Sequence, residues 1–210
     1  MHRRKYQKFE IVSVIITVLG KFLFYDILDQ RLLFILILFA FWGTYIYTRI
    51  KQNPTITKEW GFRRDNFTEV LKKVLPFGIS AIIACLIIGS VQHTLNVHWH
   101  IIPILILYPL FGTLQQFLLM SLVAGNMQEL KNLKSTTIII VTSALFGALH
   151  YPYTWLMIGT FILSIFYTYI HLRQRNLFVL GIFHGWLGAI FYYTVVNKDP
   201  FLEVFSPLLN

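Results

Sequence analysis

The chain is poor in the residues that keep a protein in water. Only 13% of its 210 residues are charged, about half the share usual in soluble domains. Acids are scarcer than bases, nine against 18, and between Val74 and Val196 the only acid is Glu129. There is a single cysteine, Cys85, which excludes an intramolecular disulfide and a cysteine-based metal cluster. Within its apolar run it reads as a small buried hydrophobe. The chain has neither an internal repeat nor a low-complexity segment.

What it has instead is apolar surface. Hydrophobic residues make up 56% and aromatics 17%, with a mean hydropathy of +0.63. Several runs reach the roughly 20 residues that cross a bilayer as a helix. They are continuously apolar, not alternating, which excludes a membrane β-barrel. The expected fold is all-α, a multi-spanning membrane protein of about seven transmembrane helices. The spans fall near 9–27, 32–48, 74–95, 101–125, 136–151, 153–171 and 177–196, the fifth being short. The N-terminal MHRRKYQKFEIVSVIITVLG has the basic start of a signal peptide. No small-residue cleavage site follows it, so it reads as a retained first span, with Lys21 snorkelling at its far end.

The charges then orient the chain. With the N-terminus cytoplasmic, all of the 18 lysines and arginines except Lys21, Arg31 and Lys198 fall in inside segments, Lys131 and Lys134 included. That bias predicts N-inside, C-outside. Basic residues confined to short segments between apolar runs argue against a nucleic-acid partner; the lipid bilayer is the expected one. Residues 57–73 mix Trp60, Phe62, Phe67, Val70 and Leu71 with charges, which predicts an interfacial helix. The expected organisation is an N-terminal helical pair with a cytoplasmic linker (1–56), a core of that helix plus five spans (57–200), and a short tail (201–210), all in one domain.

Few polar side chains lie at membrane depth, and such groups often mark a site. They are Gln115 and Gln116 in the fourth span, His150 at the end of the fifth and His184 in the seventh. At about 1.5 Å per residue, Gln115 and His184 come to similar depths and His150 higher. An amide cannot take a proton, so a base here has to be a histidine. The glutamines can hold water, orient a histidine or bind an oxyanion. The two histidines can ligate a divalent metal such as zinc, but catalytic zinc usually has three protein ligands. The plainer reading is that these residues satisfy one another as interhelical hydrogen bonds. Phe146 lies one turn before His150, and Gly188 one turn after His184, where a glycine allows close helix approach. His93, His98 and His100 share the outer loop HTLNVHWH. The 98/100 spacing suits a metal, yet with no acid or cysteine beside it a solvated loop is expected. His2 and His171 read as interfacial.

Together, QQFLLM (115–120), FGALH (146–150) and HGWLG (184–188) resemble the motifs of the CPBP intramembrane proteases. That family includes CAAX-processing, bacteriocin-processing and abortive-infection proteins. Its pattern is Glu-Glu-x-x-x-Arg, then Phe-x-x-x-His, then His-x-x-x-Asn or Asp. The lead-in WGFRRDN (60–66) resembles an element that precedes the family core. The resemblance implies a helical bundle around a watery cavity, in which a glutamate activates water and histidines help bind it or a metal. Carried over, Gln115 and Gln116 stand for the two glutamates, His150 and His184 for the histidines, Met120 for the arginine and Gly188 for the Asn or Asp. Phe146 matches. Gln116 and Met120 are neighbours at i and i+4, so losing both charges leaves neither buried alone.

Two functions follow as expectations. One is an intramembrane endopeptidase, of metallo or glutamic type, acting on a membrane-associated protein or peptide. The other is a catalytically silent relative that binds a hydrophobic or lipidated partner, for immunity or as a scaffold. A transporter is disfavoured by the lack of intramembrane acids and of broken-helix pairs.

Overall fold

The computed structural model describes residues 2–129 and 133–209. Lys131 of the expected basic loop lies outside them, as do the side chains of His2, Arg3, Arg4 and Lys5. The described chain is helical without strands: α1 (His2–Gly20), α2 (Arg31–Gln52), α3 (Ile56–Trp60), α4 (Phe67–Gln92), α5 (Ile101–Gln116), α6 (Gly125–Gln128), α7 (Ser135–Ala148), α8 (Thr154–Arg173), α9 (Leu177–Phe191) and α10 (Pro200–Leu209). Three of these run on as wider π-helical turns, α1 over Lys21–Ile27, α5 over Phe117–Ala124 and α9 over Tyr192–Val196.

Five helices among the described residues are long and apolar enough to cross a membrane: Arg31–Gln52, Phe67–Gln92, Ile101–Gln128, Thr154–Arg173 and Leu177–Val196. Their outward faces carry apolar side chains such as Ile79, Ile83, Ile87, Ile102, Ile106 and Leu110. The protein is therefore an all-α, multi-pass membrane protein. The other two of the seven expected spans are helical too. However, α1 begins among charges, and α7 has only 14 residues, about 21 Å at the α-helical rise.

The closest packing is between α5 and α9. A methyl added to Gly112 would lie 2.7 Å from the Gly181 carbonyl oxygen and 2.8 Å from the Gly185 nitrogen. One added to Gly185 would lie 2.4 Å from the Pro109 nitrogen, and one on Gly181 2.4 Å from the Thr113 Cα. The two backbones touch, as small residues permit between helices in lipid. Gly188, the glycine expected to allow this approach, does not; its added methyl would be 4.0 Å from Tyr108. The seam follows 112, 181 and 185 because these share the facing stripe.

Residues 57–73 are not one interfacial helix. α3 stops at Trp60, and Gly61 takes a left-handed φ of 97° that glycine adopts without steric cost. The chain then reverses through 62–66, and Phe67 onward is the first turns of α4. Arg63 grips Asp65 through Nε and Nη2, at 3.0 and 2.6 Å, and this lowers the Asp65 carboxyl pKa to about 2. The reversal is fixed to α9 by Asn176. Its side-chain oxygen caps Val179 N at 3.1 Å, and its amide donates to Arg63 O and Asn66 Oδ1 at 3.0 and 2.8 Å. Leu177 N donates to Gly61 O at 2.7 Å. The WGFRRDN element thus sets the start of the helix that carries His184.

Three further expectations change. The N-terminal pair is not separate from the core: Phe34, Leu38, Trp42 and Tyr45 of α2 belong to the main core, and Trp42 and Trp60 pack on Phe117 with ring centroids 6.2 and 5.0 Å away. Residues 200–209 are a helix, not a bare tail, with Pro200 and Val204 buried and Glu203 paired to Arg31 at 2.8 Å. His171 is not interfacial but fully buried, with neither ring nitrogen hydrogen-bonded. It continues the buried face of α8 through Ser164 and Thr168, while Arg173 and Arg175 reach the surface beyond it.

The glycine seam makes a direct prediction. Gly185→Ala should destabilise the detergent-solubilised protein by about 1–3 kcal/mol or more, read as a lower thermal midpoint. Gly43→Ala, where nothing lies within 4 Å of the added methyl, should be neutral or stabilising.

Candidate active site

The seam also places Gln115, three residues after Gly112, against α9. Gln115 Oε1 lies 2.8 Å from His184 Nε2. The carbonyl-type oxygen only accepts, so Nε2 carries the proton and Nδ1 the lone pair. That Nδ1 is buried without a partner. An amide turned the other way would leave Nδ1–H as a buried donor with no acceptor, the rarer and costlier case.

His150 follows the end of α7 and turns back onto it. Its Nδ1 lies 2.7 Å from Phe146 O, a backbone acceptor, so Nδ1 is protonated and Nε2 holds the lone pair. Phe146 stands between the two histidines, its ring centroid 4.8 Å from His150 and 5.2 Å from His184. The higher position expected for His150 is bridged by this ring.

Gln115, Phe146, His150, His184 and Gly188 all line one cavity of about 180 Å³. Its other walls are largely apolar, from Phe34, Leu38, Leu118, Leu119, Leu145 and Leu149. The two remaining motif positions are elsewhere. Gln116 is fully buried, does not line the cavity, and has no hydrogen-bond partner for either amide atom. Consecutive helical residues point about 100° apart, so one glutamine faces the cavity and the other the protein. Met120 is also buried, with the Thr168 hydroxyl 3.6 Å from its sulfur.

Sequence reasoning missed α1 as part of the site. Val14, Thr17, Val18, Lys21, Tyr25 and Asp26 form one wall. Among the described residues, Lys21 and Asp26 are the only charged ones lining the cavity, and they pair at 2.7 Å. A second acid, Glu10, is buried toward the opposite end of α1, held by the Tyr45 hydroxyl at 2.7 Å and Asn126 at 2.8 Å. Restricting the search for acids to residues 74–196 hid both.

As a zinc site the cavity falls short. It offers two imidazole lone pairs, on His150 Nε2 and His184 Nδ1, and among the described residues its one carboxylate, Asp26, is paired with Lys21. Catalytic zinc usually takes three protein ligands, and among the described residues His150 and His184 belong to no group of three metal-binding side chains.

Comparison with known proteins agrees with the family that the motifs resemble. The family described as type II CAAX prenyl endopeptidase Rce1-like matches residues 31–190, well over half of the chain. No curated protein and no solved structure matches it. The matched region includes every motif residue and starts after α1.

The two glutamines should respond oppositely to removal. Gln115→Leu strands His184 Nε2–H and should cost about 1–3 kcal/mol. Gln116→Leu removes an unpartnered buried amide and should be neutral or stabilising. Thermal unfolding of both variants in detergent checks the pair.

Proposed function

The chain belongs to the Rce1-like type II CAAX prenyl endopeptidase family, and we propose that it is an intramembrane endopeptidase acting on a membrane-associated protein or peptide, with His150 as its base. The observation that carries this reading is the pairing, on one cavity, of a free imidazole lone pair at His150 Nε2 with an amide at Gln115. The Phe146 carbonyl fixes the His150 tautomer, as a carboxylate or carbonyl does for a working histidine base.

In this reading His150 Nε2 takes a proton from water as the oxygen attacks the scissile carbonyl. The Gln115 amide, held from behind by His184, donates its N–H to the developing oxyanion. The proton on His150 then passes to the leaving amine as the C–N bond breaks, which restores the starting tautomer. The leucine and phenylalanine walls would hold the apolar part of the substrate. The family description makes a prenylated CAAX peptide the first substrate to test. The cytoplasmic placement of the N-terminus, and with it of the Asn176 end of the bundle, is proposed on the lysine and arginine distribution.

One observation favours the second reading, a partner-binding protein that does not cleave. The cavity acid, Asp26, is tied to Lys21, and among the described residues no other carboxylate lines the cavity. The readings part on one variant. His150→Ala should lower cleavage of a prenylated or other membrane-bound peptide by about 10²-fold or more, with membrane insertion unchanged. Cleavage that survives the substitution removes His150 from the mechanism, and peptide binding without cleavage by the wild type supports the second reading.

A further inference from the structure

The loop 93–100 is not simply solvated. Asn96 N donates to Tyr193 O at 2.8 Å, and the Thr94 hydroxyl donates to Thr194 O at 2.6 Å. These bonds dock the loop on the π-helical end of α9, next to the residue that opens α10. There His100 Nδ1 lies 2.5 Å and His98 Nε2 3.5 Å from the same oxygen, Asp199 Oδ2. The acid that the loop lacks in sequence comes from a hundred residues away.

We propose that His98, His100 and Asp199 form a binding site for a divalent metal ion of the zinc type. Their three ligand atoms lie within 4.8 Å of one another. Two imidazoles and a carboxylate are a set that zinc accepts, with water in the fourth position. The carboxylate is already oriented for it. Asp199 Oδ1 is occupied by the Tyr193 hydroxyl at 2.7 Å and by Phe201 N and Leu202 N at 3.0 and 3.4 Å. Oδ2 is left to the histidines, the kind of outer support that ligating carboxylates carry.

A simple His100–Asp199 hydrogen bond would not require His98 to converge on the same oxygen. Bonds of about 2.0–2.1 Å in a tetrahedron space ligand atoms roughly 3.3 Å apart. The His98 gap has that size now. The His100 gap opens as the ion replaces the proton between ring and carboxylate, the ring then carrying its proton on Nε2. The His98 side chain is 32% exposed, against 15% for His100 and 12% for Asp199, so an ion has a path in. Bound there, it would clasp α10 to the bundle, alongside the Arg31–Glu203 pair. The site shares no residue with the cavity.

The test is metal content of the detergent-purified full chain after loading with Zn2+ and dialysis. Wild type and the cavity double variant His150→Ala, His184→Ala should each hold about one ion per chain. His98→Ala with His100→Ala, and separately Asp199→Asn, should lower that content by about tenfold or more. Added Zn2+ should raise the thermal midpoint of wild type and of the cavity variant, and leave that of Asp199→Asn unmoved. His98→Gln, at the most exposed ligand, serves if Asp199→Asn does not fold. A wild type without zinc overturns the proposal. So does zinc retained by the loop variants, or zinc lost only when the cavity histidines are removed.

Discussion

The site depends on the contact of two backbones. α5 and α9 meet at Gly112, Gly181 and Gly185 with no room for a methyl group between them. In lipid there is little hydrophobic force to press helices together, so the seam itself must supply the dispersion contacts. That approach lets a glutamine on one helix reach a histidine on the other at 2.8 Å. Elements farther away hold the same geometry. Asn176 anchors the start of α9 through the 61–66 reversal, and the edge-to-face packing of Trp42 and Trp60 on Phe117 fixes the continuation of α5.

On this frame sits a site with an unusual proton arrangement. Each histidine spends one nitrogen on a fixed acceptor, His150 on the Phe146 carbonyl and His184 on the Gln115 amide. Each keeps one lone pair. Both histidines line the cavity; His184 Nδ1 is buried without a partner, and the proposed mechanism uses the His150 lone pair. In that mechanism the pair divides the labour, one imidazole for proton transfer and one for holding an amide in place. Amides at 115 and 116 and a methionine at 120 place no charge at these positions, which avoids the cost of a buried unpaired one.

Much of this was legible from residue order alone. Continuous apolar runs located the membrane helices, because a bilayer demands long uninterrupted ones. The motif spacing brought Gln115, Phe146, His150 and His184 to one place. The failures share a physical cause, contacts between residues far apart in the chain. Nothing local tells that α1 walls the cavity or that Asp199 joins His98 and His100. Nor does a mixed stretch such as 57–73 reveal that Gly61 will turn it back on itself. Gln116 is different: its separation from Gln115 follows from the helical period, and treating the two as a pair set that aside.

The most direct measurement is of the protons. In protein labelled with 15N histidine, the ring-nitrogen spectra of His150 and His184, assigned by loss of signal in the His150→Ala and His184→Ala variants, report which nitrogen of each is protonated. The account predicts the Nδ1–H form for His150 and the Nε2–H form for His184. The Nε2–H form on His150, or the Nδ1–H form on His184, would contradict it, because the lone pair assigned to proton transfer would then not exist or the Gln115 amide would point the wrong way.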